Sequence, residues 1–108
     1  MSFVKAAMTA DIPVGGMKGF NVNGKNILIS NIDGKFYAIN GTCTHMGGDL
    51  TKGKLEGSIV TCPRHNSRFD VKTGKNLSGP KILFLKLSTA DAAAFEVKVE
   101  GSQIMVDL

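Results

Sequence analysis

The chain has 108 residues, 43% of them hydrophobic and 20% charged, and a formal net charge of +4. This length suits one compact domain, and the composition excludes a disordered or fibrous chain. The longest apolar runs are too short for a membrane span or a signal-peptide core, so we expect a cytoplasmic protein that binds no membrane. The basic residues are scattered and the seven aromatic residues show no stacking-platform motif, which argues against nucleic-acid binding.

Two turn dipeptides organise the first forty residues. Asn23-Gly24 separates the β-rich segments 19–22 and 26–30, and Asp33-Gly34 separates the second of these from 35–39. Both dipeptides supply the positive φ angles that tight hairpin turns need. The sequence therefore predicts two consecutive hairpins.

The last fifteen residues also have a β pattern. Residues 94–99 alternate apolar and charged side chains with period two, which predicts one half-buried strand. A turn at 100–102 then leads into a final strand at 103–106. The segment 88–93 is either a helical turn capped by Ser88 or Thr89 or part of a long hairpin loop.

The middle of the chain is rich in glycine, and its apolar alternation is broken into pieces of three or four residues. We expect loops to dominate there and to carry the chemistry. The predicted fold is all-β, with one domain over 1–108. In it, an antiparallel base from 1–40 and 81–108 supports a loop-rich lobe from 41–80 at its tip.

All cysteines and histidines fall into two short arms, Cys43-Thr44-His45 and Cys62-Pro63-Arg64-His65, with 16 residues between them. Thiolate and imidazole are ligands that borderline and soft transition metals prefer, and a short spacing lets one loop present both. A structural Cys2His2 zinc site stays open, although one intervening residue is tight for zinc. An iron–sulfur cluster relaxes that constraint, because ligands from one arm can reach two different iron atoms.

These arms resemble the Rieske iron–sulfur family, whose pattern is Cys-x-His, a loop of about this length, and Cys-x-x-His. The likeness continues through residues 43–48, 62–75 and 78–80 and spans nearly the whole chain. It is nearest to the small Rieske ferredoxins that donate electrons to ring-hydroxylating dioxygenases. The resemblance implies a Rieske-like β sandwich or barrel as the base and one [2Fe-2S] cluster in the lobe.

The resemblance also implies the ligands. Cys43 and Cys62 would bind the inner iron, and His45 and His65 the outer iron near the surface. Ser67 occupies the place of a serine that donates a hydrogen bond to a bridging sulfide. Histidine ligation leaves the oxidised cluster neutral, which raises its potential above that of plant-type ferredoxins.

Three positions depart from the high-potential respiratory members of that family. Gly48 and Arg64 stand where those members carry two cysteines joined in a disulfide, so that bond cannot form here. Phe69 stands where they tend to have a tyrosine that donates to a ligand sulfur. We therefore expect a lower potential than in the respiratory members.

Two further loop features have two interpretations each. Gly47 and Gly48 could bring backbone amides to the cluster sulfurs, as in anion-binding nests, or could only shape a tight loop. Gly79-Pro80 resembles the family's third loop, in which Pro80 would help to shield the cluster, but it could also be a plain turn.

The resemblance implies a one-electron carrier and not an enzyme. Its partners would be a reductase as donor and an oxygenase or other oxidoreductase as acceptor, and we expect a monomer. The alternatives are a fixed small subunit of a larger reductase, such as a nitrite reductase, and the structural zinc module. No histidines remain for a second, mononuclear iron, which argues against an oxygenase.

Cations outnumber carboxylates in the predicted lobe. They could dock an acidic partner, or they could form a merely solvated face. The cations are Lys52, Lys54, Arg64, Arg68, Lys72 and Lys75, and the carboxylates are Asp49, Glu56 and Asp70.

Overall fold

A computed structural model describes residues 2–43, 48–64, 67–77 and 91–108. These residues form ten β-strands and two short 3-10 helices, Thr9–Asp11 and Leu50–Lys52. The strands are β1 (Phe3–Met8), β2 (Met17–Val22), β3 (Lys25–Ile32), β4 (Lys35–Asn40), β5 (Lys54–Glu56), β6 (Ile59–Thr61), β7 (Arg68–Asp70), β8 (Ala94–Phe95), β9 (Val97–Glu100) and β10 (Gln103–Asp107). No helix among the described residues is long and apolar enough to cross a membrane.

The strands pair antiparallel in three sheets. The terminal sheet has the order β1-β10-β9, the hairpin sheet has the order β2-β3-β4-β8, and the short sheet has the order β5-β6-β7. The predicted all-β antiparallel fold is confirmed.

Both predicted hairpins are present in the hairpin sheet. Asn23 and Gly24 have φ of 52° and 82°, and Asp33 and Gly34 have φ of 55° and 92°. Positive φ at both central residues is the mark of the tight turn whose twist matches that of the flanking strands. Both strand pairs extend beyond the predicted limits, because β3 runs from Lys25 to Ile32.

Strand β3 lies between two cores and is buried on both faces. Leu28 belongs to the site core, a cluster that also contains both cysteines. Ile27 and Ile29 belong to a second core, which joins the hairpin sheet to the terminal sheet. Burial on both faces explains why the run 27–29 is continuously apolar and does not alternate.

The C-terminal prediction is partly wrong. Residues 94–99 form two strands, since β8 pairs with β4 in the hairpin sheet and β9 pairs with β10 in the terminal sheet. Period two persists through the switch, because Phe95 and Val97 both pack on the second core. The final strand is confirmed as β10. Of the helical turn considered at 88–93, residues 91–93 are not helical and 88–90 lie outside the described residues.

Loops make up most of the described residues of 41–80, as predicted, but the sequence pattern missed a short sheet among them. Three strands of three residues each build the short sheet there. Leu55, Val60 and Phe69 stand opposite one another in its register and face the site core. A three-residue piece is too short to show a convincing period on its own, which is why the sequence pattern missed this sheet.

Candidate metal centre

The first cysteine lies at the mouth of a small loop that follows β4. An isolated β-bridge pairs Thr42 with Asp49 at the base of this loop. One residue further into the loop, the Cys43 N–H donates to the Gly48 carbonyl. Upstream, the Gly41 N–H donates to the Asn26 carbonyl at 2.7 Å, and the Gly41 carbonyl accepts from the Leu50 N–H at 2.7 Å. The loop is therefore anchored on β3 at its start and closed at its neck.

The second cysteine occupies the equivalent place in the short sheet. It follows β6 directly, and the Cys62 N–H donates to the carbonyl of Ser67, which directly precedes β7, at 2.7 Å. In both loops the hydrogen bond joins a cysteine to the residue five positions later. The two arms are therefore closed in the same way, and each encloses one of the two histidines of the sequence.

The two loops meet at Gly48. A Cβ built on Gly48 would lie 2.7 Å from Cys62 Sγ, 3.6 Å from Cys43 Cβ and 3.4 Å from Arg64 Cβ. Only a residue without a side chain fits between the arms at this point. The sequence offered two interpretations of this glycine, and close approach to a cysteine sulfur is the property that the structure adds.

Both thiols are buried in the same core. Cys43 is 2% exposed and Cys62 is fully buried, and no disulfide joins them. Two neighbouring thiolates in apolar surroundings would be costly without positive charge beside them, so their burial fits a bound metal centre. Thiolate with imidazole suits zinc or an iron–sulfur cluster, and in both cases the histidines would complete the donor set.

Four predicted site residues, His45, Gly47, His65 and Pro80, lie outside the described residues. Within the described residues, no three cysteine, histidine or carboxylate side chains form a metal-binding group. The structure therefore describes the site through Cys43, Cys62 and the hydrogen bond that closes the loop after each of them.

The predicted site residue Ser67 and the departing position Phe69 both lie beside the cysteines in the fold. Ser67 is buried, at 6% exposure, and closes the second loop through its carbonyl. Phe69 is fully buried in the site core together with Cys43 and Cys62. Its ring supplies apolar contact and no hydrogen-bond donor.

Asp49 was not predicted as a functional residue, but it fastens the first loop. Its carboxylate accepts from the Thr51 N–H at 3.0 Å, the Thr51 hydroxyl at 2.6 Å and the Asn26 side-chain amide at 3.2 Å. Partial burial acts to raise the pKa of Asp49, but hydrogen bonds from Thr51 and Asn26 and the charge of Lys52 outweigh it. The pKa of this carboxyl therefore lies below its usual value.

The side chain of Thr51 fits against two glycines of the hairpin sheet region. A Cβ on Gly19 would lie 2.5 Å from Thr51 Cγ2, and a Cβ on Gly41 would lie 3.0 Å from the same atom. This contact seats the 3-10 helix Leu50–Lys52, which follows the first loop, on strand β2. No local sequence signal reveals it, because the three residues are far apart in the chain.

A family model of the Rieske [2Fe-2S] domain matches residues 2–87. The chain belongs to the Rieske [2Fe-2S] family. It is 37% identical over 107 residues to the ferredoxin component of the naphthalene 1,2-dioxygenase and salicylate 5-hydroxylase systems of Ralstonia sp., covering 99% of this chain and 96% of the relative.

Solved structures of the Rieske family agree with this assignment. The ferredoxin of carbazole 1,9a-dioxygenase from Nocardioides aromaticivorans IC177 superposes with a TM-score of 0.84 at 28% identity, covering 98% of this chain and 97% of that one. A ferredoxin solved in complex with the oxygenase of carbazole 1,9a-dioxygenase gives a TM-score of 0.82 at 30% identity, covering 96% and 91%.

The predicted cofactor and class of function are therefore confirmed. This Rieske chain carries a [2Fe-2S] cluster and is an electron carrier, not a catalyst. The structural zinc module is set aside. The departure from respiratory members is also plain in the structure, since position 48 lies beside Arg64 at a Cβ separation close to the roughly 3.5–4.5 Å of a disulfide. Glycine and arginine there make no such bond.

Proposed function

We propose that Cys43, His45, Cys62 and His65 are the four ligands of the cluster. The observation that carries this assignment is the meeting of two buried thiols, each at the neck of an equally closed loop that contains one histidine. When bound, the cluster supplies a centre that takes up and releases one electron. Gly48 provides the space between the arms, and Ser67 and Phe69 line the buried side.

We further propose that the chain passes electrons from a reductase to the terminal oxygenase of a ring-hydroxylating system. Support comes from the relatives, which are named as ferredoxin components of dioxygenase systems. It also comes from the neighbour that was solved together with its oxygenase. The proposal also covers another oxidoreductase as the electron acceptor in place of the oxygenase.

The proposed arrangement is a monomeric, cytoplasmic, single Rieske domain over 1–108. Its base comprises residues 1–40 and 81–108, and residues 41–80 form the cluster-binding lobe with Gly47 and Pro80 in its loops. The short sheet and the two cysteine loops fall within that lobe, which supports the division.

The test is purification from the native host with a removable tag, followed by anaerobic reduction and mixing with a terminal ring-hydroxylating oxygenase from the same host. A free carrier purifies alone and is reoxidised by the oxygenase at a rate that rises with oxygenase concentration. Stoichiometric co-purification with a large reductase would instead identify a fixed subunit and contradict the proposal.

A further inference from the structure

The short sheet has one face in the site core and one face in solvent. Leu55, Val60 and Phe69 stand on the inner face. Side chains alternate along each strand, so the residues on either side of these three project outward. The outer face therefore consists of two rows of residues that run across the sheet.

One row lies beside the second cysteine loop, and we call it the cysteine-end row. Lys54 is opposite Thr61, and Thr61 is opposite Arg68. Leu77 extends the row, because its N–H donates to the Arg68 carbonyl at 2.8 Å. Thr61 directly precedes Cys62, and Arg68 directly follows Ser67, so the row borders the loop. Of its four residues, two are cations and none is a carboxylate.

The other row lies at the opposite end, next to the turns of the short sheet, and we call it the turn-end row. Glu56 is opposite Ile59, and Ile59 is opposite Asp70. Lys75 extends this row through the Asp70 N–H, which donates to the Lys75 carbonyl at 2.9 Å. Two carboxylates and one cation give this row the opposite sign, about 7 Å from the cysteine-end row.

The side chains of the cysteine-end row are accessible. Lys54 and Arg68 are exposed. Leu77, at 36% exposure, is one of three large apolar residues that are exposed to solvent among the described residues. Lys54 lies 3.7 Å from Glu56, but both side chains are more than two-thirds in solvent, so this ion pair holds Lys54 only weakly. Arg64, also exposed, adds a third cation from within the cysteine loop.

Lys72 is not part of this surface. It lines an open cleft with Val14, Asp33 and Gly57, at the turn end of the short sheet. Five of the six cations that the sequence grouped together are thus divided between the two ends of the sheet. Only those at the cysteine end adjoin the loop that holds a proposed ligand.

We propose that the cysteine-end row, together with Arg64, is the docking edge for an acidic face of the redox partner. This inference rests on the proposed function. Complementary charges on two proteins raise the rate at which they associate. Because the charge changes sign across the outer face, an acidic partner is attracted to the cysteine loop and repelled from the turn end. Leu77 supplies an apolar contact within a charged surround, which is the usual composition of an interface.

The experiment compares two double variants with equal change in net charge. K54E/R68E reverses the cysteine-end row, and K72E/K75E reverses the cations at the turn end. The probe is an acidic plant-type ferredoxin. Its binding to the cluster-loaded protein is measured with both proteins oxidised, and the second-order rate of electron transfer from its reduced form is measured by stopped flow.

At an ionic strength of about 20 mM, K54E/R68E is expected to weaken binding and slow electron transfer roughly tenfold, whereas K72E/K75E changes both by less than about twofold. High salt should remove the difference. Equal losses in the two variants, or no loss in either, would overturn the docking edge. Failure of the proposed function looks different, since the unaltered protein would then purify in a stoichiometric complex with a large reductase.

Discussion

The hairpin sheet and the short sheet are specified by different kinds of interaction. In the hairpin sheet, six- to eight-residue strands are joined by Asn23-Gly24 and Asp33-Gly34, whose backbone preferences set the turns locally. In the short sheet, three-residue strands gain their stability from Leu55, Val60 and Phe69 in a core shared with both cysteines. One sheet is specified by neighbours in sequence, and the other by contacts that form only in the folded chain.

That contrast predicts where substitutions act. Changes near the cysteine loops should affect the cluster first, and changes in the hairpin turns should affect stability alone.

The largest effect is expected for Cys62→Ser. A serine hydroxyl does not ionise near neutral pH and cannot replace a buried thiolate ligand. The iron content should fall from about two atoms per chain to near zero, with loss of visible absorbance. Ser58→Ala, in the turn that precedes β6, is the control and should keep its iron. Full iron retention in the cysteine variant would remove Cys62 from the ligand set.

A large effect is also expected for Gly48→Ala, because the new methyl group would approach Cys62 Sγ to 2.7 Å. We expect cluster occupancy to fall at least by half, measured as iron per chain after anaerobic reconstitution. The matched control is Gly57→Ala, which has φ of +62° and open space around its Cβ position. If both variants lost iron equally, the contact at Gly48 would have no special role.

A moderate loss of stability is expected for Gly24→Ala in the first hairpin turn. At φ of +82° an alanine is strained, which costs about 1–2 kcal/mol. The midpoint of thermal unfolding should drop while iron content and reduction potential stay unchanged. A shifted potential would contradict the separation between the two sheets.

The smallest effect is expected for Asp49→Asn, which removes the charge that accepts hydrogen bonds from Thr51 and Asn26 beside the first loop. The depressed pKa means that the carboxylate stabilises the folded protein at pH values above its ordinary pKa, and that this contribution disappears as the pH falls through the lower folded pKa. The variant should therefore unfold at a lower temperature at pH 7, and the difference should vanish in stronger acid. If the difference in unfolding temperature persisted unchanged in acid, the loss of stability would come from the shape of the new side chain and not from the lost charge.

The sequence alone accounted for much of the fold and for the chemistry of the site. The turn dipeptides act through their own φ preferences, so both hairpins were predictable, and the donor atoms of Cys43 and Cys62 restrict the choice of metal. The sheet switch between Phe95 and Val97 was not predictable, since one alternating pattern fits either sheet. Thr51 against Gly19 was also hidden, because contacts between distant residues leave no local pattern.

The central claim is that two cysteines and two histidines hold one two-iron cluster, and electron paramagnetic resonance of the dithionite-reduced protein tests it most directly. Iron and zinc should be assayed on the same sample. A rhombic spin-half signal with an average g value well below two, and about two irons per chain, is the predicted result. A silent spectrum with one zinc per chain would contradict the account.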